Sequence, residues 1–401
     1  MTKQTYDNVN LMDSPVKPPM KRTGGKQREL DIILPYVPKM PIKRYIEPFF
    51  GSGAVWLAMS KTVESHVNDK SDKLMLVWHM LQSKNEEFYA MINRFDTAWE
   101  QLRALSESSY DDFMAFVNGT QGKREGPNTP NDPVPLNPEQ RLIRFIFPYY
   151  HNLKLENFGA MTFADCIMDS ITLKANKVKN YLEKETLTYE EIMGFFETAL
   201  KAGFYTYIRY LMNINHGTEA QKAAIWLFVN EYAYGNMSRY NKDGLFNVPY
   251  GGKSYNTKLL GAKVEKYGLL PDVTAKFSNT HLYNLDFIEF LESFEEVSPL
   301  NDNDFIFLDP PYDSAFSDYD GIEFGESDHK RLAEYLAGCK ANFMLVIKYT
   351  PFILSLYENK GFNVLAYDTR YTWDIKGRNE GNKKVNHLMI TNYYIAPELK
   401  E

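Results

Sequence analysis

Residues 308 to 312 read Leu-Asp-Pro-Pro-Tyr and follow the apolar run Asp304-Phe-Ile-Phe307. One carboxylate, two imino acids and one phenol ring at the end of a buried strand can grip a planar ring that bears an amine. Asp309 can accept one N–H of such an amine and the Pro310 carbonyl the other, while Tyr312 covers the ring face. Pro310 and Pro311 fix φ and remove backbone donors that would compete for those acceptors. The chemistry this points to is work on the exocyclic amine of a nucleobase taken out of its stack. A strand ending in a plain Pro-Pro turn is the structural alternative.

A second constellation lies upstream. Glu47-Pro-Phe-Phe-Gly-Ser-Gly53 follows the strand-like Lys43 to Ile46, and Ala54 to Met59 reads as the start of a helix. Gly51 and Gly53 allow a ligand close to the backbone, and a helix beginning there would offer free N–H groups. Alone, such a pair of glycines is also what a tight βα turn needs. Asp69 ends the next strand-like run, Ser65 to Asn68, where a carboxylate commonly takes ribose hydroxyls. Asp286 precedes Phe287; a helix N-cap is its plain reading, and an acid beside an aromatic face also suits a nucleoside. No Lys-Ser/Thr follows the glycines, which disfavours a nucleoside triphosphate. A nucleoside site with no phosphate grip, facing a site for an amine, points to S-adenosyl-L-methionine. No His, Cys and Asp spacing has the pattern of a metal site.

The elements that must position these groups can be read from periodicity. The 401 residues suffice for two domains, with an ordinary 44% hydrophobic and 24% charged balance. Residues 1–20 read as a flexible arm ending in Pro15, Pro18 and Pro19. Residues 21–85 and 275–401 read as one α/β domain. Its later strands are expected at Phe305–Leu308, Phe343–Lys348, Phe362–Tyr367 and Leu388–Tyr394. Residues 86–274 read as a largely helical insertion with helices over Phe88–Leu105, Tyr181–Ala202 and Ala220–Asn230, and a mobile loop over Gly119–Pro138. Cys166 and Cys339 form no disulfide or metal pattern, so a reducing cytoplasm is expected. No apolar run is long enough to span a bilayer. The net charge of −7 counts against a wholly cationic binding surface. Basic stretches at Lys17–Arg28 and Arg239–Lys258 still allow local contact with phosphates. Oligomeric state has no signature in the chain.

Six of these segments, in order, resemble the Dam-type, D12 class N6-adenine-specific DNA methyltransferases. They are Lys21-Arg-Thr-Gly-Gly-Lys26, Glu47–Gly53, Asn68-Asp69, Tyr234–Gly251, Asp286-Phe287 and Asp309–Tyr312, with Thr369–Asn392 as a further late segment. The resemblance implies a Rossmann-like methyltransferase sheet with a target-recognition insertion, acting on double-stranded DNA, as in restriction–modification enzymes. It implies S-adenosyl-L-methionine held by Lys26, Glu47, Phe49, Gly51, Gly53, Asp69, Asp286 and Phe287. Asp309, Pro310, Pro311 and Tyr312 would be the catalytic loop around a flipped adenine. A DNA-reading hairpin near 231–252 would present Tyr234, Met237, Arg239, Asn241 and Pro249. Arg239 and Lys21 would each read a guanine, and Tyr234 would stack in the gap left by the flipped base.

Three departures bear on the target. Arg22 stands where the family has an aromatic residue, Gly235 where it has Asn, and Glu231 where it has a basic residue. They leave the chemistry intact and bear on the recognised sequence, for which GATC is the family's best-known site. Three other readings remain. Methylation of the N4 amine of cytosine would use the same loop logic, more often with Ser at the position of Asp309. A protein or RNA amide methylase would usually carry Asn there. A DNA-binding protein with an inactive methylase fold is of a different class. A fused nuclease in residues 90–220 lacks a metal motif.

Overall fold

Asp304–Leu308 is buried at every position and pairs in parallel on both sides. Strands covered on both faces read as near-continuous apolar runs, as Phe305–Leu308 does here after the paired charge of Asp304. The computed structural model describes residues 8–12, 15–22, 24–119, 162–312, 324–370 and 384–395. Within them the chain forms two units, Met1–Ser83 with Lys242–Gly244 and Lys266–Glu401, and Lys84–Asn241 with Leu245–Glu265.

The first unit is a seven-stranded sheet. Its strands are β1 Arg44–Glu47, β2 Glu64–Asn68, β3 Thr280–Tyr283, β4 Asp304–Leu308, β5 Asn342–Lys348, β6 Asn363–Arg370 and β7 Lys384–Thr391. Their spatial order is β3-β2-β1-β4-β5-β7-β6. β7 runs antiparallel between β5 and β6, and the other pairings are parallel. This is the Rossmann-like arrangement expected of the sheet. The strand order reverses between β1 and β4, and such a switch opens a crevice at the carboxyl ends of the strands. Glu47 and Asp309 lie at those ends.

Charges inside the sheet are paired. Arg44, buried on β1, sends Nε to Asp304 Oδ1 at 2.9 Å and NH2 to Oδ2 at 2.6 Å across the strand pair. The fork geometry locks the β1–β4 register Arg44↔Asp304. The apolar face of β4 and β5 packs on Phe290, Leu291 and Phe294 of the helix Phe287–Val297, and on Leu332 and Leu336 of the helix Glu326–Gly338.

Two local expectations differ from the structure. Ala54–Met59 is not a full helix: after two turns it forms only a 3-10 segment, Trp56–Ala58. The next carbonyls are taken from outside, Ala58 O by the Met12 N–H and Met59 O by Lys276 Nζ. No further helical turn is needed to satisfy them. Part of the expected arm is fastened: Asn10 is buried and donates to the carbonyls of Pro38 and Met40.

The second unit is built on the helices Glu86–Ser108, Phe163–Leu182, Tyr189–Asn213 and Glu219–Tyr232. Each of the last three starts at a threonine whose side chain accepts from the backbone three residues on, where a reciprocal acid or amide sits: Thr162/Asp165, Thr188/Glu191 and Thr218/Gln221. The Thr188 box explains why Tyr181–Ala202 is two helices rather than one. Trp99, Phe95, Phe204, Phe228 and Tyr232 form its aromatic core. Most of Gly119–Pro138 lies outside the described residues.

Candidate active site

At the switch between β1 and β4 lies a cleft of about 1080 Å³, open mouth included; among the described residues, those lining it all belong to the first unit. Of the expected donor-site residues, Lys26, Glu47, Phe49, Gly51, Asp69, Asp286 and Phe287 line it, together with the whole loop Asp309-Pro310-Pro311-Tyr312. Gly53 does not line it. Its place is structural: at φ +67° it passes between rings, where a Cβ would stand 3.0 Å from Phe50 and 3.1 Å from Trp78.

The turn after β1 is held by side chains from β2. Asp69 Oδ2 accepts the Gly51 N–H at 2.9 Å and Oδ1 accepts the Ser71 N–H at 3.0 Å. The Gly51 N–H is therefore spoken for by Asp69. Asn68, fully buried, donates to the carbonyls of Pro48 and Leu285 and accepts from the Leu285 N–H. It ties the ends of β1, β2 and β3 into one rim. Gly51 has φ +51°, and a Cβ there would meet nothing within 4 Å. It would stand in open space, at a residue that lines the cleft.

Asp286 is the N-cap of Phe287–Val297, its Oδ1 accepting the Ile288 N–H at 3.1 Å. Arg331 lies 2.8 Å from the same oxygen and Lys70 3.4 Å from the other. Partial burial pushes this carboxyl up, but the Ile288 N–H and the Arg331 and Lys70 charges outweigh it and hold it below the usual range. Phe49, Phe287 and Phe324 pack with ring centroids 5.3 to 5.6 Å apart, making an aromatic wall.

The carboxylate of Asp309 faces Lys26, with Nζ 2.7 Å from Oδ1. Burial is the largest influence on its acidity and raises its pKa to about 6; Lys26 opposes that rise and Glu29 adds to it. Lys26 Nζ also donates to the Tyr312 hydroxyl at 3.0 Å and the Gly24 carbonyl at 3.0 Å. His387, buried on β7, meets the same hydroxyl through Nε2 at 3.1 Å. Behind them Tyr367 stacks on His387 and donates to Glu29 at 2.9 Å. Burial pushes the Glu47 carboxyl well above its ordinary range, with the Tyr45 hydroxyl bond opposing and Asp309 and Asp69 adding.

Short-range patterns missed Phe324, Arg331, His387, Glu29 and Asn68's stapling role. None of them has a spacing that marks it, since each reaches the site from a different element. Of the residues expected to read DNA, Lys21 belongs to the first unit and is exposed, and Arg22 rather than Lys21 lines the cleft. Tyr234, Met237, Arg239, Asn241 and Pro249 lie in the second unit. There the bridges Ala233↔Tyr250 and Tyr240↔Phe246 form an irregular hairpin. Tyr234 is 44% exposed. Arg239 is also exposed, its Nε donating to Asn247 Oδ1 at 2.9 Å. Glu231, wholly buried, is held by Lys258 at 2.7 Å and Lys263 at 3.5 Å.

The chain is 33% identical over 173 residues to the Type II methyltransferase M.CviBI of Paramecium bursaria Chlorella virus NC1A, covering 43% of this chain and 61% of that one. It is 29% identical over 231 residues to the Type II methyltransferase M.MjaIII of Methanocaldococcus jannaschii, covering 54% and 74%. It is 31% identical over 173 residues to the Retron Ec67 DNA adenine methylase of Escherichia coli, covering 41% and 54%. The matches thus span between about half and three quarters of these relatives. The sequence profile of one family matches residues 23–155 and 149–373, most of the chain, and on that match the chain belongs to the D12 class N6 adenine-specific DNA methyltransferase family.

Proposed function

We propose that this chain transfers a methyl group from S-adenosyl-L-methionine to the N6 amine of an adenine flipped out of duplex DNA. The observation that carries the reading is the sharing of one cleft by the Gly51 turn, Asp69, Asp286 and the Asp309–Tyr312 loop. The lining fits the donor: carboxylates for hydroxyls and an amine, aromatic rings for a purine face, and at Gly51 a position where a side chain would take ligand space. When bound, S-adenosyl-L-methionine supplies an electrophilic methyl group on a sulfonium.

Asp69 takes the ribose hydroxyls while it holds the turn, because a carboxylate oxygen accepts more than one donor. Phe49 and Phe287 cover the donor's adenine, with Asp286 beside them. In the second half of the cleft, Lys26 engages Asp309 Oδ1, and Oδ2 is assigned to the target amine. The Pro310 carbonyl accepts the amine's other N–H. Drawing both hydrogens toward acceptors pulls the nitrogen lone pair out of conjugation and aims it at the donor, so alignment and electrostatics do most of the work. Asp309 takes the surplus proton after transfer. Lys26 and His387 hold the Tyr312 hydroxyl, fixing the ring that stacks on the adenine. On the second unit, Asn247 orients Arg239 for guanine O6 and N7 and Tyr234 fills the vacated stack; on the first unit, Lys21 reads a second guanine, and GATC is the site to test first.

The test is transfer of label from tritiated S-adenosyl-L-methionine to duplex DNA, followed by mass spectrometry of the nucleosides. N6-methyladenine is expected; N4-methylcytosine would move the reading to the cytosine amine, and no transfer by the intact chain would sink it. Asp309→Ala should abolish transfer and leave calorimetric binding of the donor within about threefold, since the lost carboxylate contacts the target rather than the donor.

A further inference from the structure

Outside the cleft, Glu64, His66 and His281 bring three metal-type donor atoms together at the β2–β3 edge of the sheet. Alternation along β2 puts Glu64 and His66 on one face. The parallel register sets His66 directly opposite His281, and the two imidazoles stack with centroids 4.7 Å apart and planes 18° apart. Glu64 Oε1 lies 3.0 Å from His66 Nε2 and 3.5 Å from His281 Nε2. All three donor atoms fall within 4.8 Å of one another. Two ligands bound tetrahedrally to zinc at about 2.0–2.1 Å stand roughly 3.3 Å apart, so this spacing suits a shared cation.

The surroundings are also those of a ligand set. His66 Nδ1 is 3.0 Å from the Tyr283 hydroxyl. Such a partner on the far ring nitrogen orients a ligating histidine and fixes its tautomer. Phe294 closes one side, edge-on to His66 at 5.1 Å. The Glu64 and His281 side chains are 41% and 57% exposed, which leaves an entry path. The nearby cation, Arg44, is committed to Asp304 through both Nε and NH2.

We propose that Glu64, His66 and His281 form a binding site for one divalent transition cation of the zinc type, with water as the fourth ligand. The cation would clamp edge strand β3 to β2, the strands that lead to Asp286 and Asp69. The sequence hides the site because His281 sits on a strand far along the chain from Glu64-Ser-His66.

The test is calorimetric titration of the tag-free, chelator-stripped full chain with zinc chloride, with cobalt(II) absorption as a second readout. One equivalent should bind, cobalt should give the intense visible bands of a tetrahedral site, and His281→Ala should weaken binding at least tenfold. His281 is exposed, so that variant should keep the wild-type unfolding midpoint without metal; Glu64→Gln provides a second variant that removes a different ligand. Absence of saturable uptake, or an unchanged isotherm in both variants, would overturn the proposal and leave a plain His66–Glu64 hydrogen bond.

Discussion

Lys26 Nζ stands 2.7 Å from Asp309 Oδ1 and 3.0 Å from the Tyr312 hydroxyl. One ammonium thus touches both the acid and the phenol of the loop, which links the charge state of Asp309 to the posture of Tyr312. Lys26 arrives from a segment nearly 300 residues earlier in the chain, and it is buried where it does so.

The rate of methyl transfer should depend on the ionisation of Asp309. Its pKa is raised to about 6 by burial, with Lys26 opposing. The ionised carboxylate is the acceptor, so kcat should rise through pH 6 and level off above it, and be lost as pH falls below. Lys26→Met removes the opposing charge and should move this inflection upward by roughly one to three units. A kcat–pH profile that keeps its inflection in the Lys26→Met chain would contradict the coupling.

His387→Phe should lower kcat while leaving the KM for S-adenosyl-L-methionine nearly unchanged. The ring volume is kept, but the 3.1 Å contact from Nε2 to the Tyr312 hydroxyl is lost. A bond of this kind is worth about 1 kcal/mol, or roughly fivefold in rate. A lowered urea midpoint together with a raised KM for the donor would mean that His387 supports the fold rather than the posture of the ring.

Gly51→Ala and Gly53→Ala should fail in different ways. Both positions have positive φ, but only at Gly53 would a Cβ press on Phe50 and Trp78. Gly53→Ala should cost about 2–4 kcal/mol of stability from backbone strain and overpacking. Gly51→Ala should cost about 1–2 kcal/mol and weaken donor binding more than the stability loss explains. Urea midpoints and calorimetric donor titrations separate the two.

Glu231→Gln should destabilise the second unit more than an exposed charge change would. The carboxylate is wholly buried between Lys258 and Lys263. Breaking a buried pair typically costs about 3–5 kcal/mol, and the partial exposure of both lysines puts the expected loss at the low end. Residues 232 and 251 close the hairpin directly beyond it, through the Gly251 N–H to the Tyr232 carbonyl at 2.9 Å. Discrimination between cognate and altered DNA sites should therefore fall alongside the urea midpoint.

The sequence by itself specifies the groups that occur within a few contiguous residues at strand ends. Asp309-Pro-Pro-Tyr312, the Gly51–Gly53 turn and the Asn68-Asp69 pair are local, because a strand end, a tight turn and an N-cap are each specified by three to five neighbouring residue types. The apolar run Phe305–Leu308 announced the buried strand β4, whereas the Thr188 box that splits Tyr181–Ala202 into two helices went unread. Where local reading failed, a distant partner was the reason. Ala54–Met59 has a helical pattern, yet the carbonyls at its end go to Met12 and Lys276.

Tertiary structure alone decided which groups meet. It placed β7 between β5 and β6, which brought His387 onto Tyr312; it set Lys26 on Asp309 and Arg331 on Asp286; and it laid His281 beside His66. Residue types determine what each side chain can donate, accept or bury. Register and packing determine the distances, through many weak contacts summed over the whole chain. Acidity follows distance and desolvation, so the raised pKa of Asp309 belongs to the fold rather than to the five residues that first marked the loop.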